Sequence, residues 1–380
     1  MLIEEVSAKK ILNSRGEETI EVSVNGCRAS SPGGKSIGKF ETKPYQESLD
    51  ASINSINSLQ FPFDINSFAD LKKVENAICK KYNLRYANNF GANALFALES
   101  AILKALAKSK NKQLWEIINP KARNFPIPVG NAIGGGLHSQ KFKIHPLFQE
   151  FLIIPDEFSF KENVRVMSEI YGKIGKFLTA IEKNDEGAWQ VPMNNGQALE
   201  TLSKFSNQVR LGIDVAASSF FRNNLYVSKE KSLDEESQIK YINNIIEKYN
   251  IFYVEDPLQE EMFHAFSRIH KKHLVVGDDL TATQLGRLKE AIRCSSINAM
   301  IIKPNQNGSL LEVAKIIALC KENKIKTIFS HRSGETMDTS IADYAFAFGA
   351  DFIKIGISTV WREAKLKRMI DIENSFHQIE

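Results

Sequence analysis

Six short apolar runs in the second half of the chain each end on a residue that can do chemistry. They read Val209–Asp214, Ile251–Glu255, His273–Asp278, Ala299–Lys303, Lys326–His331 and Asp351–Lys354. Their last positions, 214, 255, 278, 303, 331 and 354, stand 41, 23, 25, 28 and 23 residues apart. A charge at the end of a buried run is costly unless it has a task. Asp214, Glu255 and Asp278, drawn together, would repel one another too strongly to stay ionised without a cation. One acid per strand in an all-oxygen set suits Mg²⁺, which leaves positions for water or substrate oxygens. A single acid is as well explained by a helix cap or a salt bridge; three in succession point to a metal.

Lys303 and Lys354 end two further runs. A lysine beside a second lysine and a divalent cation is expected to have a lowered pKa, making a base near neutral pH. Such a base can remove a proton α to a carboxylate, and the doubly negative aci-carboxylate then needs the cation and the second lysine. A salt bridge to one of the acids is the plainer use of either lysine. Ser330–Glu335 (SHRSGE) adds Arg332 and two hydroxyls, at what is expected to be the start of the next helix. That makes an anion site, with Arg332 bidentate to a phosphate or carboxylate. Gly134–His138 contains three successive glycines that could approach a ligand closely.

The spacing says what positions these groups. Parallel strands need a crossover of a dozen or more residues, usually a helix, and buried parallel strands read as continuous apolar runs. Charged residues at their C-terminal ends gather at the mouth of a βα-barrel. Ile127–Ile133, after the breaker Asn119-Pro120, is expected to be the first barrel strand. Stripes of Ile239, Ile242, Ile245 and Ile246 (after a start at Ser232), of Leu285, Leu288 and Ile292, and of Leu310, Val313, Ile316 and Ile317 predict helices packed on the barrel. The first ~120 residues have another rhythm. Ile3–Leu12 and Glu18–Val24 alternate like antiparallel strands, and Ser31–Gly38 is a Gly/Ser-rich loop. Helices are predicted over Ser67–Tyr82, over Gly91–Ala107 with one stripe of Leu95, Leu98, Ile102, Leu103 and Leu106, and near Gln113–Ile118. The expected domains are residues 1–122, α+β, and 123–380, a barrel carrying the site.

With 380 residues, the chain is long enough for both. Its 43% hydrophobic content and net charge of +4 fit a globular protein with mild attraction for anionic ligands and no nucleic-acid footprint. Cys27, Cys79, Cys294 and Cys320 are widely spaced and read as buried thiols of a reducing compartment. The acidic N-terminus does not fit a signal peptide, and no apolar run approaches the ~20 residues a membrane span needs. A cytoplasmic protein is expected.

In their order, these motifs resemble the enolase family, the phosphopyruvate hydratases of glycolysis, over nearly the whole chain. Ile11–Val22 is similar to the family's opening strand motif, Ser31–Gly38 to its mobile loop and Phe90–Ala107 to its GANA helix. Gln149–Phe151, Asp185–Gly187, Leu211–Ser218, Val254–Pro257, Gly277–Thr281, Ile302–Gln306 and Ser330–Glu335 complete the series. The resemblance implies an α/β protein, an N-terminal α+β domain followed by a modified TIM barrel with an irregular start, assembled as a homodimer or larger. It implies a first Mg²⁺ on Asp214, Glu255 and Asp278, and a second on Ser36 of the mobile loop. Lys303 would take the C2 proton of 2-phosphoglycerate. Glu186 would help hydroxide leave C3, with Glu150 its close partner. Lys354 would bind the substrate carboxylate, Arg332 and Ser333 the phosphate, while His331 and His138 line the pocket.

The chain departs from the family's pattern in a lengthened stretch between His138 and Glu150, in Lys35 on the mobile loop, in Ala188 and Asn13, and in Ile355–Glu363, which lacks the usual Gly-Ala-Pro turn. These departures leave room for an enolase-like catalyst of another 2-substituted acid. A binding scaffold without turnover would show the loss of a proton-transfer group, and none is missing.

Overall fold

In the computed structural model, residues 1–35, 38–139, 141–179, 182–229 and 231–377 are described. Near the N-terminus, Val6–Leu12 and Glu18–Val24 pair antiparallel, and Cys27–Ser30 adds a third strand. Asn25-Gly26, both at positive φ, make the two-residue turn whose twist matches the flanking strands. Ile20, Val22 and Val24 are fully buried. They face the helix Ala92–Ser109, which also meets Pro304–Asn307 and Leu114–Ile118. Being covered on several sides, that helix buries every residue from Ala92 to Leu103 instead of a single stripe. Alanines around the circumference allow this close approach.

The remaining chain closes an eight-strand barrel. In ring order its strands are Ile127–Gly134, Glu150–Ile154, Arg210–Asp214, Ile251–Glu255, Leu274–Gly277, Ala299–Ile302, Lys326–Ser330 and Phe352–Lys354. The eighth returns to pair with the first, Lys354 opposite Val129. All neighbours are parallel except at the second strand, which runs against both the first and the third. Glu150 therefore stands at the N-terminal end of its strand and yet beside Asp214 and Gly134, at the same rim. Below the mouth, Val129, Leu152, Ile154, Tyr253, Val276, Ile301, Ile328 and Phe352 form one apolar cluster, with every strand but the third represented.

Three local expectations need correction. The helix expected from Ser232 runs over Glu235–Tyr249 and is capped by Asp234, whose carboxylate accepts from Ser237 N–H; Ser232 belongs to a short strand. After SHRSGE, the next helix is Ser340–Ala347, so the arginine lies on a loop and not at a helix start. The cause is tertiary: Gly334 forms two backbone hydrogen bonds with Gly33, of 2.7 and 2.8 Å, tying this loop to the N-terminal region. A Cβ at Gly334 would come within 2.4 Å of the Asn13 side chain, so glycine is required there. Finally, Cys27 and Cys79 are only half-buried, whereas Cys294 and Cys320 are buried; all four are free. Among the described residues, no helix is long and apolar enough to cross a membrane.

Candidate active site

At the mouth, Asp214, Glu255 and Asp278 end the third and fourth strands and follow the fifth, and all three are buried. Lys354, on the far rim, extends its side chain across to the acids. Its Nζ lies 2.8 Å from Glu150, 3.1 Å from Asp214 and 2.9 Å from both oxygens of Glu255. Lys303 pairs with Asp278 through Oδ2. Both lysines are thus salt-bridged to the acids of the mouth. The lowered pKa expected for Lys303 is not found: burial pulls it down, but the adjoining Asp278 carboxylate outweighs this and holds it above its ordinary value. Lys354 is raised well above its own, since Asp214, Glu150 and Glu255 together overcome burial.

The acids show the opposite strain. Burial pushes Asp214 up to about 6 and Glu255 up to about 8, despite Lys354. Burial acts on Asp278 as well, but Lys303 holds it below the usual carboxylate range. Its second oxygen, Oδ1, is buried without a hydrogen-bond partner. A carboxylate oxygen left in that state is stabilised by a cation. The charge-starved acids and this orphaned oxygen fit a divalent metal.

Sequence reading missed two neighbours, Asp256 and Asp279, although each directly follows a residue it singled out. Asp256, Asp278 and Asp279 each bring a carboxylate oxygen within 4.8 Å of the others. Asp256 sits at φ +38, and its carboxylate accepts from the N–H groups of Asp278 and Asp279 at 3.1 and 2.6 Å. It shapes the strand end that carries them. Burial and Asp278 push Asp279 up to about 7.

Across the barrel, Glu150, Glu186 and His331 form a second buried group, one ligand atom of each within 4.8 Å of the rest. Glu186 is on a turn, not a strand. Asn184 Oδ1 accepts from Glu186 N–H at 3.0 Å and from Ala188 N–H at 2.9 Å, while Arg15 holds the adjacent Asp185. Gly187, at φ +85, has the Ser358 carbonyl 1.8 Å from where a Cβ would stand. Burial and the nearby acids push Glu150 up to about 8, against the pull of Lys354. His331 is pushed well below its ordinary value, by burial and then by Arg362.

The anion site predicted around Arg332 is occupied by the chain's own acid. Arg332 donates from Nη1 and Nη2 to the two oxygens of Glu41, at 2.9 and 3.1 Å, and both side chains are buried. Ser333 Oγ accepts from Lys35 N–H at 2.7 Å, and Lys35 Nζ donates to the Leu137 carbonyl at 2.9 Å. Glu41, Glu150, Glu186, Asp214, Lys303 and Lys354 line one pocket with His331, Arg332 and Ser333. Ser36 and the side chain of His138 lie outside the described residues.

Two family models match the chain in sequence order. The enolase N-terminal domain matches residues 3–118, and the enolase C-terminal TIM barrel domain residues 122–379. The chain belongs to the enolase family. Among its relatives, the enolase of Methanocorpusculum labreanum is 36% identical over 98% of this chain and 99% of its own length. The enolases of Archaeoglobus fulgidus and Methanosphaera stadtmanae are 33% and 36% identical, each over 98% of this chain and 97% of their own length. As an enolase, the chain is a hydro-lyase, a phosphopyruvate hydratase, and a divalent metal belongs to its chemistry. The lengthened stretch before Glu150 and the altered turn after Lys354 are thus variations within the enolase barrel.

Proposed function

We propose that the chain dehydrates 2-phosphoglycerate reversibly to phosphoenolpyruvate, with Lys303 as the base at C2 and Glu186 as the acid at C3. The observation that carries this reading is the placement of the two groups around the ring. Lys303 follows the sixth strand and Glu150, the partner of Glu186, begins the second, four positions away in a ring of eight. A substrate spanning the mouth meets a base at one end and a carboxyl pair at the other.

Lys303 accepts the C2 proton after Asp278 gives up its ion pair to other ligands. Lys354 holds the substrate carboxylate, and Arg332 with Ser333 the phosphate, with His331 lining the pocket and His138 assigned there by the resemblance alone. Glu186 delivers its proton to the C3 hydroxyl, which leaves as water, and Glu150 keeps that proton available. Asp214, Glu255 and Asp278 would hold one Mg²⁺, and Ser36 would contribute to a second. When bound, the metal neutralises the charge that builds on the substrate carboxylate as the C2 proton leaves. Hard oxygen donors support Mg²⁺ over softer ions. We place the domain boundary near residue 122, between the two matched ranges, and expect a cytoplasmic homo-oligomer.

The test is the ultraviolet absorbance of phosphoenolpyruvate forming from 2-phosphoglycerate, with Mg²⁺ and then with excess chelator. A rise that needs Mg²⁺ is expected. A flat trace from folded, Mg²⁺-binding protein would overturn the substrate assignment in favour of another 2-substituted acid.

A further inference from the structure

Arg362 is fully buried, at 0% exposure, and among the described residues no carboxylate bonds it. Its Nε donates to His331 Nδ1 at 3.2 Å. Its other donors reach the Asp185 carbonyl and Thr359 Oγ1 at 3.4 Å and the Arg332 carbonyl at 3.3 Å. A buried guanidinium without an acid is costly, and this one is held by neutral acceptors from three segments of the site. The backbone is built around it. Gly356 sits at φ +77, and a Cβ there would come 2.3 Å from Arg362 Cδ. The stretch Ile355–Glu363, which departs from the family's usual turn, is thus shaped to deliver this side chain.

A guanidinium has no acceptor and keeps its protons. A ring nitrogen that receives its N–H must therefore present a lone pair, and the proton of the neutral ring sits on Nε2. One ring nitrogen of His331 lies within 4.8 Å of a carboxylate oxygen of Glu150 and of Glu186, and with Nδ1 taken by Arg362 the ring N–H is carried on Nε2. Adding a proton at Nδ1 would set two N–H groups head to head and a second positive charge beside the first. The charged groups around the ring include Arg362, Lys354, Glu186 and Glu150, and the Ile355 backbone also favours protonation.

We infer that Arg362 is a positioning residue, fixing His331 as the Nε2–H tautomer so that the proton of the Glu150–Glu186 pair stays on the carboxyls. The inference rests on the assignment of Glu186 as the acid. With Nε2 a donor and Nδ1 occupied, the imidazole cannot take the proton that hydroxide needs in order to leave as water. Loss of Arg362 lets the ring turn its lone pair toward the acids and withdraw that proton.

The deciding measurement is ¹⁵N NMR of the full protein labelled at histidine, with His331→Gln to identify the His331 signals. Wild-type protein should show an unprotonated Nδ1 and a protonated Nε2 at His331. A protonated Nδ1 overturns the inference, and this result needs neither turnover nor a folded Arg362 variant. In Arg362→Met the single tautomer should be lost, with kcat down ~10- to 100-fold and KM changed by less than about threefold. Arg362→Lys, which keeps a donor, should recover part of kcat. A folded Arg362→Met protein with unchanged His331 signals and kcat would equally overturn the inference. If the wild-type enzyme has the stated tautomer but no turnover of 2-phosphoglycerate, the assignment of the acid fails while the tautomer stands.

Discussion

The two arcs of this barrel place chemistry by different means. From the third strand to the eighth, the strands are parallel, and each delivers its group from its own C-terminal end: Asp214, Glu255, Asp278, Lys303, His331 and Lys354. The second strand alone runs against its neighbours, so Glu150 comes from the start of a strand, and Glu186 comes from a turn. The regular arc fixes charge, with paired lysines and acids in a rigid frame of ladder hydrogen bonds. In the proposed mechanism the irregular arc handles a proton, and Glu186, its proposed acid, is held by Asn184, by Arg15 on Asp185 and by the tight passage at Gly187. One arc is a scaffold for ions, the other an arrangement of loops for an acid.

If that division is real, the two halves of the reaction should come apart. Lys303→Ala removes the base and is expected to lower kcat by ~10³- to 10⁴-fold, the upper part of the range for general-base catalysis. Exchange of the C2 hydrogen with solvent should vanish with it. Glu186→Gln keeps the shape but not the proton, and should cost ~10²- to 10³-fold in kcat while C2 exchange persists. Measuring exchange and turnover together checks both. Loss of exchange in the glutamine variant would show that the arcs do not act separately.

The same division explains what the sequence made legible. A charge ending an apolar run is visible because parallel strands must be apolar and their ends need not be, so six of the mouth residues could be read from type and spacing. Glu150 breaks that rule because its strand runs backwards, and Glu186 lies on a turn; only the resemblance to a family marked them. Arg332 was legible as an anion binder, but its capture by Glu41 was not, since the two are 291 positions apart and meet through tertiary docking such as Gly33 on Gly334 and Thr42 on Gln306. Arg362 was legible only as part of what Arg362-Glu363 keeps of the family's pattern, with nothing to mark it as buried beside His331. Its burial depends on the Gly356 bend, where a Cβ would stand 2.3 Å from Arg362 Cδ.

The ion-holding arc can be tested by its protons. Burial raises Asp214 and Glu255 to about 6 and 8, so they bind protons where the unfolded chain does not. Such groups favour the folded state below their unfolded values, and that contribution is lost as pH rises through 6 and then 8. A metal needs them ionised. Mg²⁺ binding should therefore release protons at pH 6–7, tighten toward pH 8, and raise Tm more at pH 8 than at pH 6. Calorimetry in buffers of different ionisation enthalpy reads the release directly, and binding without protons would contradict it. Asp278→Asn, which removes the charge behind the orphaned oxygen, should weaken the metal by ~10- to 100-fold.

The smallest expected effect concerns the pair between the N-terminal region and the barrel. Glu41 grips Arg332 with both oxygens and also accepts from Gly38 N–H at 2.8 Å. A substrate phosphate that uses the same guanidinium must displace a bidentate carboxylate, so part of its binding energy is spent on the exchange. Glu41→Gln retains one acceptor and removes the charge. The ligand-free protein should lose about 1–3 kcal/mol, because a buried guanidinium is left with a weaker partner. Added inorganic phosphate should then raise Tm more in the variant than in the wild type, and KM for substrate should fall a few-fold. Equal stabilisation of the two proteins by phosphate would mean that the anion does not take the place of Glu41. In that case the pair would serve only to dock the loop, and the phosphate would be read by Arg332 from its other side.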